Sequence, residues 1–352
     1  MEQYRMNTNQ RMELGFYSVG EHVSDPVAGR KISVQQRITE LIEASKLAEQ
    51  AGLDVFAVGE RHQDDASTQA HSVIIGAIAQ ATKKIKIASS ATVLSVHDPV
   101  RIYEDFATID LISNGRTEII AGRGSTIGTY HTLGYDVNDY EQMFEEKFDL
   151  LLKLNSQERI TWEGKFRLPL KDAHILPRPI NGKLPIWRAV GGSPESAIKA
   201  GLAGAPMTLA TLSGTSDYFK TAVNSYRQAA AQAGHDPTNL PVATTTMLYA
   251  ADNSQDARNE FYPYINHVFK VMRGISFPKE RYLQSANVED AMMVGSPQLI
   301  IEKILHQYEL FGHQRLLLQM DLGGLPYSKL ARNIELVATQ IAPAIRKYTA
   351  KR

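Results

Sequence analysis

The sequence predicts a (β/α)8 barrel, and three observations support this fold. Eight segments have the apolar composition of buried strands, and nearly all are followed by a segment with helical spacing. Residues 84–124 show the pattern most clearly, since a strand, a helix and a second strand follow one another there. Parallel strands need such a crossover, and eight units of this kind close into a barrel. An open doubly wound sheet would carry a dinucleotide fingerprint after its first strand, where this chain reads V-G-E-H-V-S.

The predicted strands and helices alternate along the chain. The strands are expected at residues 13–19, 54–59, 85–93, 117–121, 185–190, 206–212, 242–250 and 315–321. Helix starts are marked by side chains that cap free N–H groups or by a proline at the first helical position, at Ser33, Asp98-Pro99, Ser193-Pro194 and Ser296-Pro297. Asn114-Gly115 and Gly52 mark helix ends, because these residues tolerate the left-handed conformation.

Three segments depart from the alternation. Gln157–Leu184, after the fourth helix, is interpreted as an insertion on the barrel rim with a hairpin that turns at Glu163-Gly164. Gly274–Val294, after the seventh strand, is irregular and polar, and a long polar loop is expected between the fourth strand and Asp139. Residues 1–11 are expected to be a disordered extension, which leaves residues 12–352 as a single barrel domain.

Composition excludes several classes of function. The chain has 352 residues, 43% of them hydrophobic, and its 38 basic residues balance its 38 acidic residues. Zero net charge without charged runs gives no indication of nucleic acid or an anionic membrane as partner. The absence of cysteine excludes disulfides, thiolate zinc sites and cysteine nucleophiles. Met1–Arg11 is too polar for a signal peptide and no apolar run could span a membrane, so a cytoplasmic protein is expected.

The clearest predicted binding site follows the fifth strand. Gly191 and Gly192 let a ligand approach the backbone, and Ser193 caps a helix whose N-terminus favours an anion. Arg123, at the end of the neighbouring strand, is a fitting second contact because guanidinium pairs well with phosphate. A plain helix start with a glycine-rich connector is the alternative explanation.

His62 is the best acid/base candidate, because it follows the second strand and imidazole titrates near neutral pH. The alternative for His62 is a histidine in a hydrogen-bonded loop. A catalytic metal held by His62, Asp64, Asp65 and His97 is a weaker alternative, since no other ligand pattern of a metal hydrolase is present. No metal site is therefore predicted.

Four motifs, in this order and spacing, resemble the bacterial-luciferase-like flavin monooxygenases. They are G-L-D-V-F-A-V-G-E-R-H, N-G-R followed by G-R-G, V-G-G-S-P-E-S-A, and L-G-G-L-P-Y. The resemblance extends from Leu14 to about Tyr348. It implies a luciferase-like barrel that binds FMN, usually as reduced flavin from a separate reductase, and uses O2 to oxidise a small organic substrate.

The resemblance also implies roles for individual residues. His62 would be the acid/base near the flavin, although Arg61 stands where many members have a second histidine. Ser90-Ala91 would form a cis peptide bond beside the flavin ring, and Arg123 would meet the phosphate, around which Gly191, Gly192 and Ser193 close. Gly274–Val294 would be a mobile lid, and helices 69–82 and 99–113 would form a homodimer interface.

Two other functions stay open at this point. A deazaflavin-dependent dehydrogenase of the same superfamily would move hydride without oxygen. A non-catalytic flavin-binding protein would store or sense the cofactor. The full set of eight units and the polar residues at the mouth favour an enzyme, and the sequence gives no substrate.

Overall fold

Eight parallel strands close into a barrel in the computed structural model, which describes residues 2–6, 11–124 and 126–350. Each strand pairs with the next, and β8 pairs with β1. The predicted fold is therefore confirmed. The strands are β1 (Glu13–Ser18), β2 (Val55–Val58), β3 (Lys86–Ser89), β4 (Thr117–Gly122), β5 (Ile186–Val190), β6 (Met207–Ala210), β7 (Val242–Ala250) and β8 (Arg315–Gln319).

Helices pack around the outside of the barrel. Most of their starts and ends lie within a few residues of the predicted ones. The labelled helices are α1 (Val34–Gln50), α2 (His71–Ala81), α3 (Pro99–Ser113), α4 (Tyr140–Ser156), α5 (Pro194–Leu202), α6 (Ser216–Gln232), α7 (Pro297–Phe311) and α8 (Tyr327–Leu336), which continues through a π-helical turn (Val337–Ile341) into Ala342–Thr349. A further helix of 20 residues, Ser254–Arg273, lies between β7 and α7.

The predicted capping residues form the caps observed. The hydroxyl of Ser33 accepts a hydrogen bond from the backbone N–H of Gln36, and the carboxylate of Asp98 accepts one from Val100. Asn114 ends α3 with a φ of 59°, in the left-handed region. Local sequence thus determines these boundaries, because each cap satisfies a backbone group that the helix leaves free.

Alternation along the strands sorts side chains between the barrel interior and the layer under the helices. At the ends where the strands begin, the interior holds a buried ion network. Arg315 donates to both carboxylate oxygens of Glu118, at 2.6 and 3.0 Å, and through Nε to Glu13 at 2.8 Å. The indole N–H of Trp187 donates to Glu118 at 2.9 Å. Although burial would lower the pKa of Arg315, the charges of Glu118 and Glu13 raise it above its ordinary value.

The N-terminal segment covers this closed end of the barrel. Tyr4 and Met6 are buried, and the ring of Tyr4 lies 6.4 Å from that of Trp187. The guanidinium of Arg5 donates to the buried carboxylate of Asp110 at 2.6 Å. The prediction of disorder across residues 1–11 is therefore wrong for residues 3–6, because these contacts hold them, while Met1 and 7–10 lie outside the described residues.

The rim insertion contains the predicted hairpin with a longer turn. Its strands are Arg159–Trp162 and Leu170–His174, so Glu163-Gly164 lie in the connection as predicted, but this connection is longer and spans residues 163–169. The carboxylate of Glu146 on α4 accepts hydrogen bonds from the backbone of Lys165, Phe166 and Arg167. Those contacts hold the connection open against α4.

Two segments predicted as irregular contain regular structure. Residues Ile127–Leu133 form a short helix in the predicted polar loop. Between residues 274 and 294 lies a helix (Lys279–Leu283), and Met293–Gly295 pairs with β7. Phe277 and Tyr282 are buried in one apolar cluster with the helix Ser254–Arg273. Burial of these two aromatic side chains explains why the segment has regular structure, although its polar composition predicted an irregular one.

Among the described helices, none is long and apolar enough to cross a membrane.

We expect Glu118→Gln to lower the free energy of unfolding by about 3 kcal/mol, the low end of the range for breaking a buried ion pair. Arg315 would keep Glu13 but lose its fully buried counter-charge. Urea denaturation at neutral pH measures the change. Glu335→Gln is the matched control, because Glu335 pairs with Arg332 at the exposed surface and its loss should leave stability nearly unchanged. Equal stability of the Glu118→Gln and wild-type proteins would contradict the assignment.

Candidate active site

A pocket of about 320 Å³ opens where the barrel strands end. Its inner wall consists of interior-facing residues near the ends of the strands, among them Tyr17, Ile120, Thr208 and Thr245. Several wall residues are small, and a Cβ atom at Gly122 would lie 3.0 Å from that of Ala91. Other small residues of the wall are Ser90, Gly124, Ala189, Gly191 and Ala210. Their short side chains leave room for a ligand at the mouth, where barrel chemistry occurs.

Arg123 lies on one side of this pocket, beside the first turn of α5. Its Nη2 atom is 3.5 Å from the hydroxyl of Ser196, and its guanidinium carbon is 5.6 Å from the centre of the Tyr140 ring. Glu141 is the nearest carboxylate, at 4.0 Å. The Arg123 side chain is one quarter exposed, and its ion pair with Glu141 is long. The guanidinium is therefore accessible to an anionic ligand.

The glycine turn after β5 leaves the backbone accessible. A Cβ atom added at Gly191 would meet no atom within 4 Å, and Gly191 lines the pocket. Gly192 has a φ of 104°, which favours glycine, and Ser193 caps α5 by accepting from Ser196. Of the predicted binding residues, Gly191 and Arg123 line the pocket, whereas Gly192 and Ser193 shape the turn behind it.

Ser90 and Ala91 also line the pocket, between β3 and the two-residue strand Thr92–Val93. Their peptide bond is cis, as the resemblance implies.

His62 belongs to a cluster of three histidines around the carboxylate of Glu60. The Nε2 atoms of His62 and His97 lie 2.6 and 2.5 Å from one oxygen of Glu60. The other oxygen accepts from the backbone of Val93 at 2.7 Å and lies 3.6 Å from Nδ1 of His71. A carboxylate only accepts, so each Nε2 carries the proton and Nδ1 is the nitrogen that His62 and His97 keep for proton exchange.

The cluster fixes the charge states of its buried members. Burial would raise the pKa of Glu60, but the hydrogen bonds from His62 and His97 and the nearby His71 hold it well below its ordinary range. For His71, burial lowers the pKa to about 4, although the charge of Glu60 opposes the shift. Glu60 is therefore an ionised acceptor and His71 a neutral imidazole at neutral pH.

The predicted metal alternative is not assembled as proposed. Asp64 is exposed and Asp65 forms a two-point ion pair with Arg61, so only His62 and His97 of the four candidates meet, around Glu60. Their nitrogens approach Glu60 to 2.6 and 2.5 Å. Two ligands of a tetrahedral zinc ion would lie about 3.3 Å apart, given bonds of about 2.0 Å. The geometry is that of a hydrogen-bonded cluster.

The pocket wall contains Glu60 and Arg61 but not His62. The sequence indicated that Glu60, Arg61 and His62 follow β2 at the mouth, but only His62 was chosen as a site residue, and Tyr17 was not singled out for the site. The sequence E-R-H after β2 could have indicated Glu60 and Arg61 as well. Consecutive residues there point in different directions, so at least one neighbour of His62 is expected to face the pocket. The meeting of His62 and His97 was part of the metal alternative, whereas the approach of His71 had no signal in the sequence, since it lies at the start of α2.

A sequence profile of the family described as luciferase-like monooxygenase matches residues 12–314. The chain belongs to the luciferase-like monooxygenase family. The oxygenase component of the flavin-dependent trigonelline monooxygenase of Acinetobacter baylyi is 22% identical over 348 residues, which cover 90% of this chain and 92% of that protein.

Solved structures of luciferase-like folds superimpose on nearly the whole chain. The oxygenating constituent of 3,6-diketocamphane monooxygenase from Pseudomonas putida, in complex with FMN, has a TM-score of 0.76 at 21% identity and covers 95% of this chain and 98% of its own. An F420-dependent secondary alcohol dehydrogenase with an F420-acetone adduct has a TM-score of 0.73 at 20% identity, with coverages of 96% and 99%. At these identities the likeness shows the fold alone.

We expect His71→Gln to reduce the acid sensitivity of this luciferase-like protein. Folded His71 stays neutral down to a pKa of about 4, whereas the unfolded chain takes up the proton below about 6.5, so stability falls as pH drops through that window. The slope reaches about 1.4 kcal/mol per pH unit for one proton. Urea unfolding at pH 6.5 and 4.5 should show a smaller loss in the variant. The exposed His131→Gln is the control, and an unchanged loss in His71→Gln would refute the expectation.

Proposed function

We propose that the protein is a flavin-dependent monooxygenase that uses reduced FMN and O2 on a small organic substrate. The observation that carries the proposal is the lining of the mouth pocket. Small residues line its wall, and Arg123 lies on one side beside the N-terminus of α5, an arrangement that suits a ring system joined to a phosphate. When bound, FMN supplies the electrons that activate oxygen.

The residues of the phosphate end have distinct roles in this proposal. Arg123 pairs with the phosphate, and Gly191 brings the backbone close to it because no side chain intervenes. Gly192 and Ser193 hold the turn and the start of α5 that present the site. Ser90 and Ala91 form the wall against which the ring lies.

His62 is proposed as the acid/base, with Glu60 as its positioning residue. Because Glu60 accepts the Nε2 proton, the Nδ1 nitrogen of His62 is the atom that would exchange a proton during turnover. Glu60 lies in the pocket wall and joins the histidines to it. Gly274–Val294 is proposed as a cover for the mouth that excludes water, although its buried Phe277 and Tyr282 limit how much of it moves.

A deazaflavin-dependent dehydrogenase is the second candidate. It is favoured by the similarity to an F420-dependent enzyme over nearly the whole chain, and the same phosphate site would serve either cofactor. A non-catalytic flavin-binding protein is the third possibility. The organised acid/base cluster beside the pocket favours an enzyme over storage, because a storage site needs no such cluster.

Partners follow from the chemistry. A separate flavin reductase would supply reduced FMN, and a cytoplasmic location is proposed because such reductases need reduced nicotinamide. A homodimer is proposed through α2 and α3. Val73 on α2 is 71% exposed, and Leu111 and Ile112 on α3 are 45% and 48% exposed, so both helices carry apolar side chains that a second copy would bury.

The test of the proposed function measures the binding of three cofactor forms and the incorporation of oxygen into a product. Anaerobic titrations measure binding of oxidised FMN, reduced FMN and reduced F420 to the purified protein. The protein with reduced FMN is then mixed with 18O2 and a panel of aldehydes, cyclic ketones, terpenes and aromatic acids, and products are examined for one incorporated 18O atom. Preference for F420 would favour the dehydrogenase, and tight FMN binding without product from any substrate would favour storage.

We expect Arg123→Ala to weaken FMN binding by about 1–3 kcal/mol, the range for losing a hydrogen bond to a charged group. Fluorescence titration measures the dissociation constant. Arg159→Ala is the matched control, because Arg159 pairs with Asp172 on the exposed hairpin far from the pocket wall. Riboflavin, which lacks the phosphate, should bind wild type and Arg123→Ala alike. An unchanged dissociation constant for FMN would remove Arg123 from the phosphate site.

We expect Val73→Asp to shift a dimer toward monomer, because the charge would be buried without a partner in the proposed interface. Sedimentation velocity at several protein concentrations measures the shift. Val27→Asp is the control, since Val27 is 68% exposed on a loop of the barrel mouth. A wild-type monomer at all concentrations, or equal dimerisation of both variants, would reject the interface.

A further inference from the structure

Arg61 lines the mouth pocket, and its guanidinium is only partly engaged by hydrogen bonds among the described residues. Its side chain is only 11% exposed, and it lines the pocket wall beside Glu60. Asp65 accepts from Nε at 2.9 Å and from Nη2 at 2.6 Å, which fixes the plane of the guanidinium. The Nη1 atom makes no hydrogen bond within the described part of the chain. Arg61 is thus a rigid cation with a free donor at the pocket.

The order of the strands separates Arg61 from Arg123 by two positions in the ring of eight. Arg123 and Gly191 follow β4 and β5, whereas Arg61 follows β2 and Tyr17 lies near the end of β1. In a closed ring of eight strands, β1 and β5 lie opposite each other. A ligand whose phosphate lies at β4 and β5 therefore extends its ring across the mouth toward β1, β2 and β3.

Resting on the proposed function, we propose that Arg61 is the fixed positive charge that faces the ring of bound flavin and makes the pocket select the reduced form. Reduced flavin carries a negative charge on its pyrimidine ring near neutral pH, whereas oxidised flavin is neutral. Protein charge near this part of the ring tunes the electronics of the cofactor. A guanidinium keeps its proton at any physiological pH, so Arg61 stabilises charge and does not transfer protons.

The neighbouring acids are already engaged, which leaves the charge of Arg61 available. Asp65 is its own partner, and Glu60 accepts from His62 and His97. Glu21, whose carboxylate interacts electrostatically with Arg61, accepts a hydrogen bond from the backbone N–H of Gly323 at 2.5 Å. None of these carboxylates competes for Nη1. An anionic ring can therefore take the remaining donor without displacing an existing contact.

The test measures dissociation constants of oxidised and reduced FMN, the latter under anaerobic conditions, for wild type and variants. Arg61→Gln should lower the preference for reduced over oxidised FMN about tenfold, as expected for loss of a charge-assisted contact. By the thermodynamic cycle, this is a fall of about 30 mV in the midpoint potential of bound flavin. Arg61→Lys should keep most of the preference, and Arg159→Gln is the control that should keep all of it.

A second variant should change the preference for reduced over oxidised FMN in the opposite direction. Asp65→Asn removes the counter-charge and should raise the preference for reduced FMN, so the proposal stays testable if Arg61→Gln does not fold. An unchanged preference in Arg61→Gln, or equal weakening of both FMN forms, would overturn the proposal and leave the proposed function standing. Wild-type protein that binds neither form would overturn both. Thermal melting of the cofactor-free variants separates loss of binding from loss of folding.

Discussion

The buried contact between Arg315 and Glu118 is the constraint on which the barrel depends. Both side chains are fully inaccessible, and they join β8 to β4 across the interior. Glu13 adds β1 to the same network, and Trp187 adds β5 through its indole N–H. A buried charge is tolerated only when it is paired and hydrogen-bonded. The register of these strands is therefore coupled, since a slip by one residue would turn a charged side chain into the apolar layer under the helices.

Closure of one end of the barrel leaves the other end for chemistry. Tyr4, Met6 and the ion network fill the end where the strands begin. At the opposite end the same interior positions carry small or hydroxyl side chains, such as Gly122, Ala189 and Thr208, and a pocket results. The same alternation of interior-facing residues along the strands therefore gives a filled interior at one end of the barrel and a ligand pocket at the other.

The end of β2 illustrates how neighbouring residues divide the work of the site. Arg61 is held by Asp65 at the pocket wall, whereas His62 turns away to Glu60. Glu60 belongs to both environments, because it lines the pocket and accepts from two histidines. The family resemblance assigned one acid/base residue to this turn. The structure instead shows a carboxylate in contact with three imidazoles and a separate cation, so in the proposed function proton exchange and charge stabilisation would lie on different side chains.

The sequence by itself determined the barrel, most helix boundaries and the turn after β5. Strand composition, caps such as Asp98 and the glycines at 191 and 192 are local signals, and local physics suffices to interpret them. Prediction from sequence failed where contacts between distant residues determine the structure. Residues 3–6 are held by Asp110, and the connection at residues 163–169 is held by Glu146. Only the tertiary structure brought Glu60 and His71 together with His62 and His97, and paired Arg61 with Asp65 at the pocket wall. The direction of a side chain on a loop depends on partners that are distant in the chain, and no local pattern encodes them.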